Sequence, residues 1–257
     1  MKTIKLIKAM LNLLIKHKTI RKYTDKDLSD QILNRCLTAA CRASNTGNMQ
    51  TYSIVVTRDN DIKKQLAPAH FNQPMVTQAP VVLTFCADFN RFNKWCAIRN
   101  AKPGFDNVLS FSSAVIDTVL AAQNFAVAAE SEGLGICFLG TTTYNAPQII
   151  DVLKLPKMVF PVTTITVGYP AETPERQEDR LPINGVCHHE VYEDYDEKEI
   201  ERIYAAKEAL ESSKQFVKEN NKETLAQVFT DIRYTKKDAE AFSVTFLEML
   251  KQQGFLH

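Results

Sequence analysis

The sequence lacks most of the short patterns that mark common catalytic sites. It contains no Gly-x-Gly-x-x-Gly, no Gly-x-x-x-x-Gly-Lys and no Gly-x-Ser-x-Gly. A Rossmann dinucleotide domain, a nucleoside triphosphatase loop and a serine hydrolase are therefore not expected. No His-x-x-x-His, Glu-x-x-His or Cys-x-x-Cys spacing occurs either, so no metal site is predicted.

A strong charge of either sign is also missing, since 31 Lys and Arg residues are balanced by 30 Asp and Glu residues. That balance does not favour a nucleic-acid or membrane partner, so an anion site needs a local cluster. The six cysteines lie mostly among apolar neighbours, as expected of free thiols in a reducing compartment. Lysines interrupt the apolar positions of 4–15 and no small-residue cleavage site follows, which favours an amphipathic helix and a cytoplasmic protein.

The chain does contain a regular alternation of helical and strand patterns over its 257 residues. Helical spacing of apolar residues predicts helices at 4–15, 29–42, 110–131, 196–219 and 235–252. Apolar and β-branched runs predict strands at 53–57, 81–87, 136–139 and 162–167. Residues 90–107 are predicted to form an irregular surface excursion suited to a lid. This order indicates an α+β protein with a mixed sheet between helical layers.

The longest predicted helix, 110–131, carries apolar residues on nearly every face, including Val119 and Phe125. Such a helix must be buried on most of its faces. A subunit with four predicted strands has limited surface to cover it. We therefore expect a homodimer in which a two-fold partner presents the same helix.

Two sequence segments could bind an anionic or polar ligand. His17, Lys18, Arg21 and Lys22 fall within six residues around Thr19, and this cluster suits a phosphate monoester. The alternative is a solvated positive turn at a helix end. Residues 44–50 form a small polar turn with one glycine, which offers amides and hydroxyls but is also typical of an ordinary loop.

A third segment, residues 133–143, combines a short apolar strand with glycines and a run of threonines. The strand ends at Gly140, and Thr141, Thr142 and Thr143 follow it directly. Such a strand end is where ligands tend to lie in sheets flanked by helices. The segment has no lysine at the spacing of a phosphate-binding loop.

Taken in order, these segments resemble the FMN-dependent nitroreductase family. The basic loop corresponds to the family's first motif, and Ala39–Gln50 to the end of its following helix. The central helix and strand correspond to Ala121–Cys137, and the later motifs to Gly168-Tyr169-Pro170 and Arg180-Leu181-Pro182. Phe85–Arg91 and the long helical tail are most similar to the NADPH-dependent, oxygen-insensitive nitroreductase and flavin reductase branch.

The resemblance implies a nitroreductase-like three-layer α/β/α fold with a mixed, mostly antiparallel sheet, in one domain covering residues 1–257. Residues 1–195 would be the flavin-binding core, and 196–257 a helical extension that wraps the partner subunit. It also implies bound FMN and NADPH or NADH as co-substrate. The implied cofactor-binding residues are His17, Lys18, Thr19, Arg21, Asn45, Thr46, Gly47, Asn48, Gln73, Leu139, Gly140, Thr141 and Arg180.

Most of these residues have an implied role. His17, Thr19 and Arg21 would contact the ribityl phosphate with help from Arg180, and Lys18 would lie beside the flavin. Gln73 would bond the pyrimidine edge. The segment 139–141 would pass beneath the ring with a backbone N–H near N5. Asn45, Thr46 and Gly47, from the partner subunit, would touch the isoalloxazine or the ribityl chain.

The implied activity is ping-pong hydride transfer from NAD(P)H to nitroaromatics, quinones or flavins, with the chemistry on the flavin and no protein general base. Glu178 stands where this branch usually has lysine, which removes one cation near the phosphate. The tail has no clear pair of arginines near 221–224, so the choice between NADPH and NADH stays open. The alternatives are a flavin-binding or flavin-consuming protein without broad reductase activity, and a non-flavin protein whose basic loop binds another anion.

Overall fold

The computed structural model describes residues 10–257, of which residues 10–15 are helical. The part of the predicted first helix before residue 10 lies outside the described residues. The chain divides into two compact units, one made of the chain up to Glu175 together with Phe242–His257, the other of Arg176–Ala241. That the chain is a single domain with a flavin-binding core ending at residue 195 stays a prediction. The contacts divide the chain after Glu175 and assign its last residues, Phe242–His257, to the first unit.

The first unit is built on a four-stranded sheet with the order β1-β2-β4-β3. The strands are β1 (Tyr52–Thr57), β2 (Val81–Asp88), β3 (Gly135–Leu139) and β4 (Val159–Gly168). Every pairing among the described strands is antiparallel, which agrees with the prediction of an α+β protein with a mostly antiparallel sheet. The parallel pair that a mixed sheet would contain does not occur among these strands.

The helices predicted at 29–42 and 110–131 are present in the first unit, together with shorter helices. In chain order the helices are α1 (Asp30–Ala40), α2 (Asn60–Leu66), α3 (Pro74–Gln78), α4 (Asn90–Ala97), α5 (Val108–Ser131) and α6 (Ala146–Leu153). Ser29 caps α1 and Asp59 caps α2, each by accepting backbone N–H groups of the first turn.

Alternating side chains of the sheet pack into two apolar clusters. Leu83, Phe85 and Ile165 pack with α1 and α5 on one face. Cys137 and Leu139 pack on the other face, with residues of α2, α3 and α6. Because adjacent residues of a strand point to opposite faces, the sheet lies between helical layers, as the sequence predicted.

Helix α5 is 24 residues long, and its length and composition alone would allow it to span a membrane. In this protein its inner side packs against α1 and the sheet. An outer stripe stays open in the single chain, where Leu109 is 78% exposed, Ile116 59% and Val119 45%. The helix is therefore buried on its inner side and leaves its outer apolar stripe without cover in one subunit.

The prediction of an irregular excursion at 90–107 is wrong for its first half, which is α4. Arg91 N–H donates to the Asp88 carboxylate at the start of this helix. The Phe105 ring stacks on Phe89 at 5.0 Å and meets the edge of Phe92 at 5.3 Å. These ring contacts fold the segment onto the first unit, so it does not have the features of a free lid.

The second unit contains α7 (Glu197–Glu208), α8 (Glu211–Glu219), α9 (Leu225–Val228) and the start of α10 (Lys236–Gln253). The predicted continuous helix at 196–219 is broken at Leu210, whose ψ of 137° is extended. The break could not be read from composition because no Gly or Pro marks it. Gly254, with φ of 87°, ends α10.

Close packing at Gly135 joins the segment around Ile20 to β3. Ile20 N–H donates to the Ile136 carbonyl at 2.9 Å. A Cβ at position 135 would lie only 2.5 to 2.6 Å from three side-chain carbons of Ile20. Only glycine leaves room for this contact.

We expect Gly135→Ala to lower the free energy of unfolding by about 1–3 kcal/mol, because the Ile20 segment must move away from β3. The matched control is Gly104→Ala, where an added Cβ meets nothing within 4 Å and the effect should stay within about 0.5 kcal/mol. Urea denaturation of both variants measures the difference. Equal stabilities of the two would contradict the close-packing argument.

Candidate functional site

The basic loop at residues 17–23 is fixed to the sheet at its C-terminal end. The Tyr23 hydroxyl donates to the Ile20 carbonyl at 2.8 Å and lies 2.7 Å from the Thr166 hydroxyl. Burial raises the pKa of Tyr23 well above its usual value, so the phenol stays neutral. Thr24 N–H donates to the Tyr169 carbonyl. The loop is therefore held in one conformation along the edge formed by β3 and the end of β4.

The cations of this loop point in different directions. His17 Nδ1 lies 2.5 Å from the carboxylate of Glu130 on α5. Lys18 Nζ donates to the Pro174 carbonyl at 2.6 Å. Lys22 pairs with Glu172 at the surface. His17 and Lys18 are thus half-buried, whereas Lys22 is exposed.

Arg21 lies beside the thiol of Cys137 on β3. Burial raises the pKa of Cys137, and the Arg21 guanidinium opposes that rise through its charge and a hydrogen bond. The guanidinium therefore sits at the surface of the β3 face that carries Leu139. A fixed, permanently charged fork at this place can bind an anionic group.

The turn after β3 is held by three side chains. The Thr142 hydroxyl donates to the Leu139 carbonyl at 2.9 Å and lies 3.1 Å from the Thr164 hydroxyl. The Asn145 amide donates to the Ala69 carbonyl at 2.9 Å. Gly140 lies exposed between these anchors. The turn therefore presents its backbone in a fixed position.

The third anchor of the turn is His70, a residue that the sequence reasoning missed. Its Nδ1 lies 2.9 Å from the Thr141 hydroxyl, and its Nε2 is buried without a hydrogen-bond partner among the described residues. Burial lowers the pKa of His70 to about 4, so the imidazole is neutral at pH 7. No local pattern in the sequence marks this histidine, because its partner is far away along the chain.

One apolar cluster brings the first group of predicted site residues together. It contains Ile20 of the basic loop, Met75 of α3 and Leu139 of β3. Gln73 is the half-buried residue directly before α3. The basic loop, the Gln73 segment and the turn at 139–141 therefore belong to the same side of the sheet.

The other predicted residues lie elsewhere. The loop that carries Asn45, Thr46, Gly47 and Asn48 packs against α5, and Ala43 beside it belongs to an apolar cluster with Tyr52 and Ala121. Arg180 belongs to the second unit, where its guanidinium donates to the Asp179 carbonyl at 2.8 Å. Within the first unit of one chain, the segment 45–48 is not part of the cluster that joins the basic loop to Leu139.

The protein was compared with known families, sequences and structures. The model of the nitroreductase family matches residues 14–169. An FMN reductase [NAD(P)H] of Bacillus subtilis is 32% identical over 93% of this chain and 94% of its own length. An oxygen-insensitive NADPH nitroreductase of Salmonella typhimurium is 35% identical over 75% of this chain and 78% of its own. A Bacteroides fragilis protein of known structure is 58% identical with a TM-score of 0.94, over 96% of this chain and 100% of that one.

The buried His70 generates a testable pH dependence. Its pKa is about 4 in the folded protein and 6.5 when unperturbed, so between these values the unfolded chain binds the extra proton. Stability is therefore lost as the pH falls below 6.5, and the loss should reach about 2 kcal/mol by pH 5. Urea denaturation at pH 7.5 and pH 5.0, in wild type and His70→Gln, isolates this contribution. An identical pH dependence in both proteins would show that His70 does not titrate in this way.

Proposed function

The chain belongs to the nitroreductase family, and from this membership we propose that it is an FMN-dependent NAD(P)H oxidoreductase. The observation that carries the proposal is the position of the basic loop. The loop that carries His17, Lys18 and Arg21 lies, through Ile20, on the same side of the sheet as the anchored turn at 139–141. A loop with several basic side chains beside an exposed backbone turn suits a flavin mononucleotide.

The donor set fits the phosphate of FMN. We propose that His17, Thr19 and Arg21 bind the phosphate, while the role of Arg180, a residue of the second unit, stays a prediction. Glu130 fixes the imidazole of His17 through Nδ1, so its orientation does not depend on the ligand. Lys18 lies half-buried next to His17 and is proposed to face the flavin.

The turn after β3 is proposed to lie beneath the ring system. Leu139 is buried while Gly140 is exposed without a side chain, so the backbone at 139–141 can approach a flat ligand closely. Gln73 is proposed to hydrogen-bond the polar edge of the same ring. When bound, FMN supplies the chemistry, accepting hydride from NAD(P)H and passing electrons to the second substrate.

The surroundings of this turn suit planar acceptors. The Tyr144 ring stacks on Phe242 with centroids 4.6 Å apart and planes 11° from parallel. Phe71 lies 6.4 Å from Phe242 and is exposed. We propose nitroaromatics, quinones or flavins as acceptors, because aromatic faces favour stacking with planar rings.

The experiment that tests this function begins with the chromophore. The purified or reconstituted protein should absorb at flavin wavelengths, and mass spectrometry should identify the released cofactor as FMN. Steady-state oxidation of NADPH and NADH with menadione should give parallel double-reciprocal lines, as ping-pong kinetics require. FAD, or no flavin after reconstitution, would overturn the proposal. FMN without NAD(P)H oxidation would favour a flavin-binding protein that is not a broad reductase.

We further propose a homodimer in which each flavin site uses both subunits. The segment 45–48 and the basic loop lie toward different parts of α5, on which Asp117 bonds the former and Glu130 the latter. At 1.5 Å per residue these two helix positions are roughly 20 Å apart. The exposed stripe of α5 offers a self-complementary apolar surface on which a two-fold partner can pack. Such packing would let the partner supply Asn45, Gly47 and Asn48 to this chain's basic loop.

A cytoplasmic location is part of the proposal. All six cysteines lie in the described residues and all are free thiols, two of them exposed. Free exposed thiols persist in a reducing compartment.

We expect Arg21→Ala to weaken FMN affinity roughly ten- to a hundredfold, because a charge-assisted hydrogen bond of about 1.5–3 kcal/mol is lost. Lys22→Ala is the matched control, since the Lys22 side chain is 65% exposed and pairs with Glu172 instead. Quenching of flavin fluorescence during titration of the apoprotein measures both affinities. Equal losses in the two variants would contradict the assignment of Arg21 to the phosphate.

We expect the protein to elute at about twice its 29.1 kDa chain mass in size exclusion with light scattering. Ile116→Asp should shift it toward the monomer and lower FMN occupancy together, because a side chain buried at the interface is replaced by a charge. Ile62→Asp on α2 is the control, since Ile62 is exposed outside the α5 stripe. Phe125 is unsuitable for this test because it is fully buried in the core of one chain. A monomer with full FMN occupancy would refute the shared site.

A further inference from the structure

Asp117 is a carboxylate buried in the middle of the long apolar helix α5. The residue is completely inaccessible to solvent. A buried carboxylate is costly unless donors surround it. Its presence on the mostly apolar inner face of α5 therefore needs a specific partner.

That partner is the loop between Thr46 and Thr51. One carboxylate oxygen, Oδ1, accepts from the Thr46 backbone N–H at 2.8 Å and from the Thr46 hydroxyl at 3.1 Å. The other, Oδ2, accepts from the Thr51 hydroxyl at 2.8 Å and from the Thr51 N–H at 3.3 Å. A single side chain thus binds both ends of the loop with four donors.

The residues between these two ends adopt conformations that need such support. Gly47, Asn48 and Gln50 have φ values of 56°, 55° and 54°. The left-handed region is unfavourable for residues other than glycine, and it persists where surrounding contacts enforce it. The Asn45 side chain adds one such contact by accepting from Gln50 N–H at 3.2 Å.

We propose that Asp117 is a positioning residue of the flavin site, which sets the shape of the loop at 45–48 that faces the partner's flavin. This inference rests on the proposed function. It also reassigns Thr46, whose backbone N–H and hydroxyl hydrogen are committed to Asp117 and are not available as donors to a ligand. Asn45, Gly47 and Asn48 are then the members of the loop that contact the cofactor.

The contacts of the loop require a carboxylate rather than an amide at position 117. Each oxygen of Asp117 accepts two hydrogen bonds, whereas asparagine has one oxygen and an NH₂ group that would face two donors. Asp117→Asn keeps the shape of the side chain and breaks one of the two attachments. Thr51→Val removes one hydroxyl donor, and Thr51→Ser retains it.

The experiment uses the full chain reconstituted with FMN and compares these three variants with wild type. Thr118→Val is the control for stability, because Thr118 is a buried residue of the same helix whose hydroxyl bonds only the Ala114 carbonyl. For each protein we would measure the FMN dissociation constant, the thermal midpoint of the apoprotein, and kcat and KM for NADPH with saturating FMN.

We expect Asp117→Asn to weaken FMN binding about tenfold or more, and Thr51→Val several-fold, with Thr51→Ser restoring wild-type affinity. Thr118→Val should lower the thermal midpoint without changing FMN affinity. At saturating FMN, Asp117→Asn should raise KM for NADPH more than it lowers kcat, because the loop shapes the site and takes no part in the chemistry.

Three outcomes would overturn the inference. If wild type binds FMN and Asp117→Asn binds it within twofold, Asp117 does not position the site. If Thr118→Val weakens FMN binding as much as Asp117→Asn, the effect is general destabilisation. If Asp117→Asn does not fold, equal FMN affinities of Thr51→Val and Thr51→Ser would overturn it instead. Wild type that binds no FMN would refute the proposed function itself, and with it this inference.

Discussion

The close approach of Ile20 to Gly135 is the contact on which the candidate site depends. The missing side chain at Gly135 lets the Ile20 N–H reach the Ile136 carbonyl on β3. This contact fixes a short run of cations along the strand that leads into the turn at 139–141. Without it, the basic loop would be a solvated turn, the alternative that composition allows. Backbone packing at one position therefore holds the basic loop in the place that the proposed site requires.

Helix α5 joins this contact to the rest of the molecule. Its inner side completes the core, Glu130 orients His17, and Asp117 binds the loop between Thr46 and Thr51. Its outer stripe remains apolar and open in one chain. Both parts of the proposed site are attached to this one helix. In the proposed dimer, their relative positions would therefore follow from how the two copies of α5 pack, and flavin binding would depend on assembly.

The sequence predicted the elements that local patterns control. Strand 81–87 and helix 110–131 match β2 and α5 to within two residues, because their apolar patterns are long. The errors occur where contacts between residues far apart in the sequence determine the structure. Helix α4 is stabilised by ring contacts with Phe105, and the break at Leu210 is marked by no Gly or Pro. Neither feature can be predicted from a short stretch of the sequence.

In the candidate site too, some residues could be identified from local motifs, whereas others depend on contacts between distant parts of the chain. The cationic loop, Gln73 and the turn at 139–141 could be selected from motifs, since residues that contact a ligand often lie in recognisable segments. His70 could not, because only the folded chain brings it to Thr141. Asp117 did give a signal, as an acid in the apolar middle part of helix α5. The contacts of Asp117 also show a limit of sequence motifs. A motif can identify a loop, but it does not show which atoms of that loop are free to bind a ligand. Both donors of Thr46 already bind Asp117.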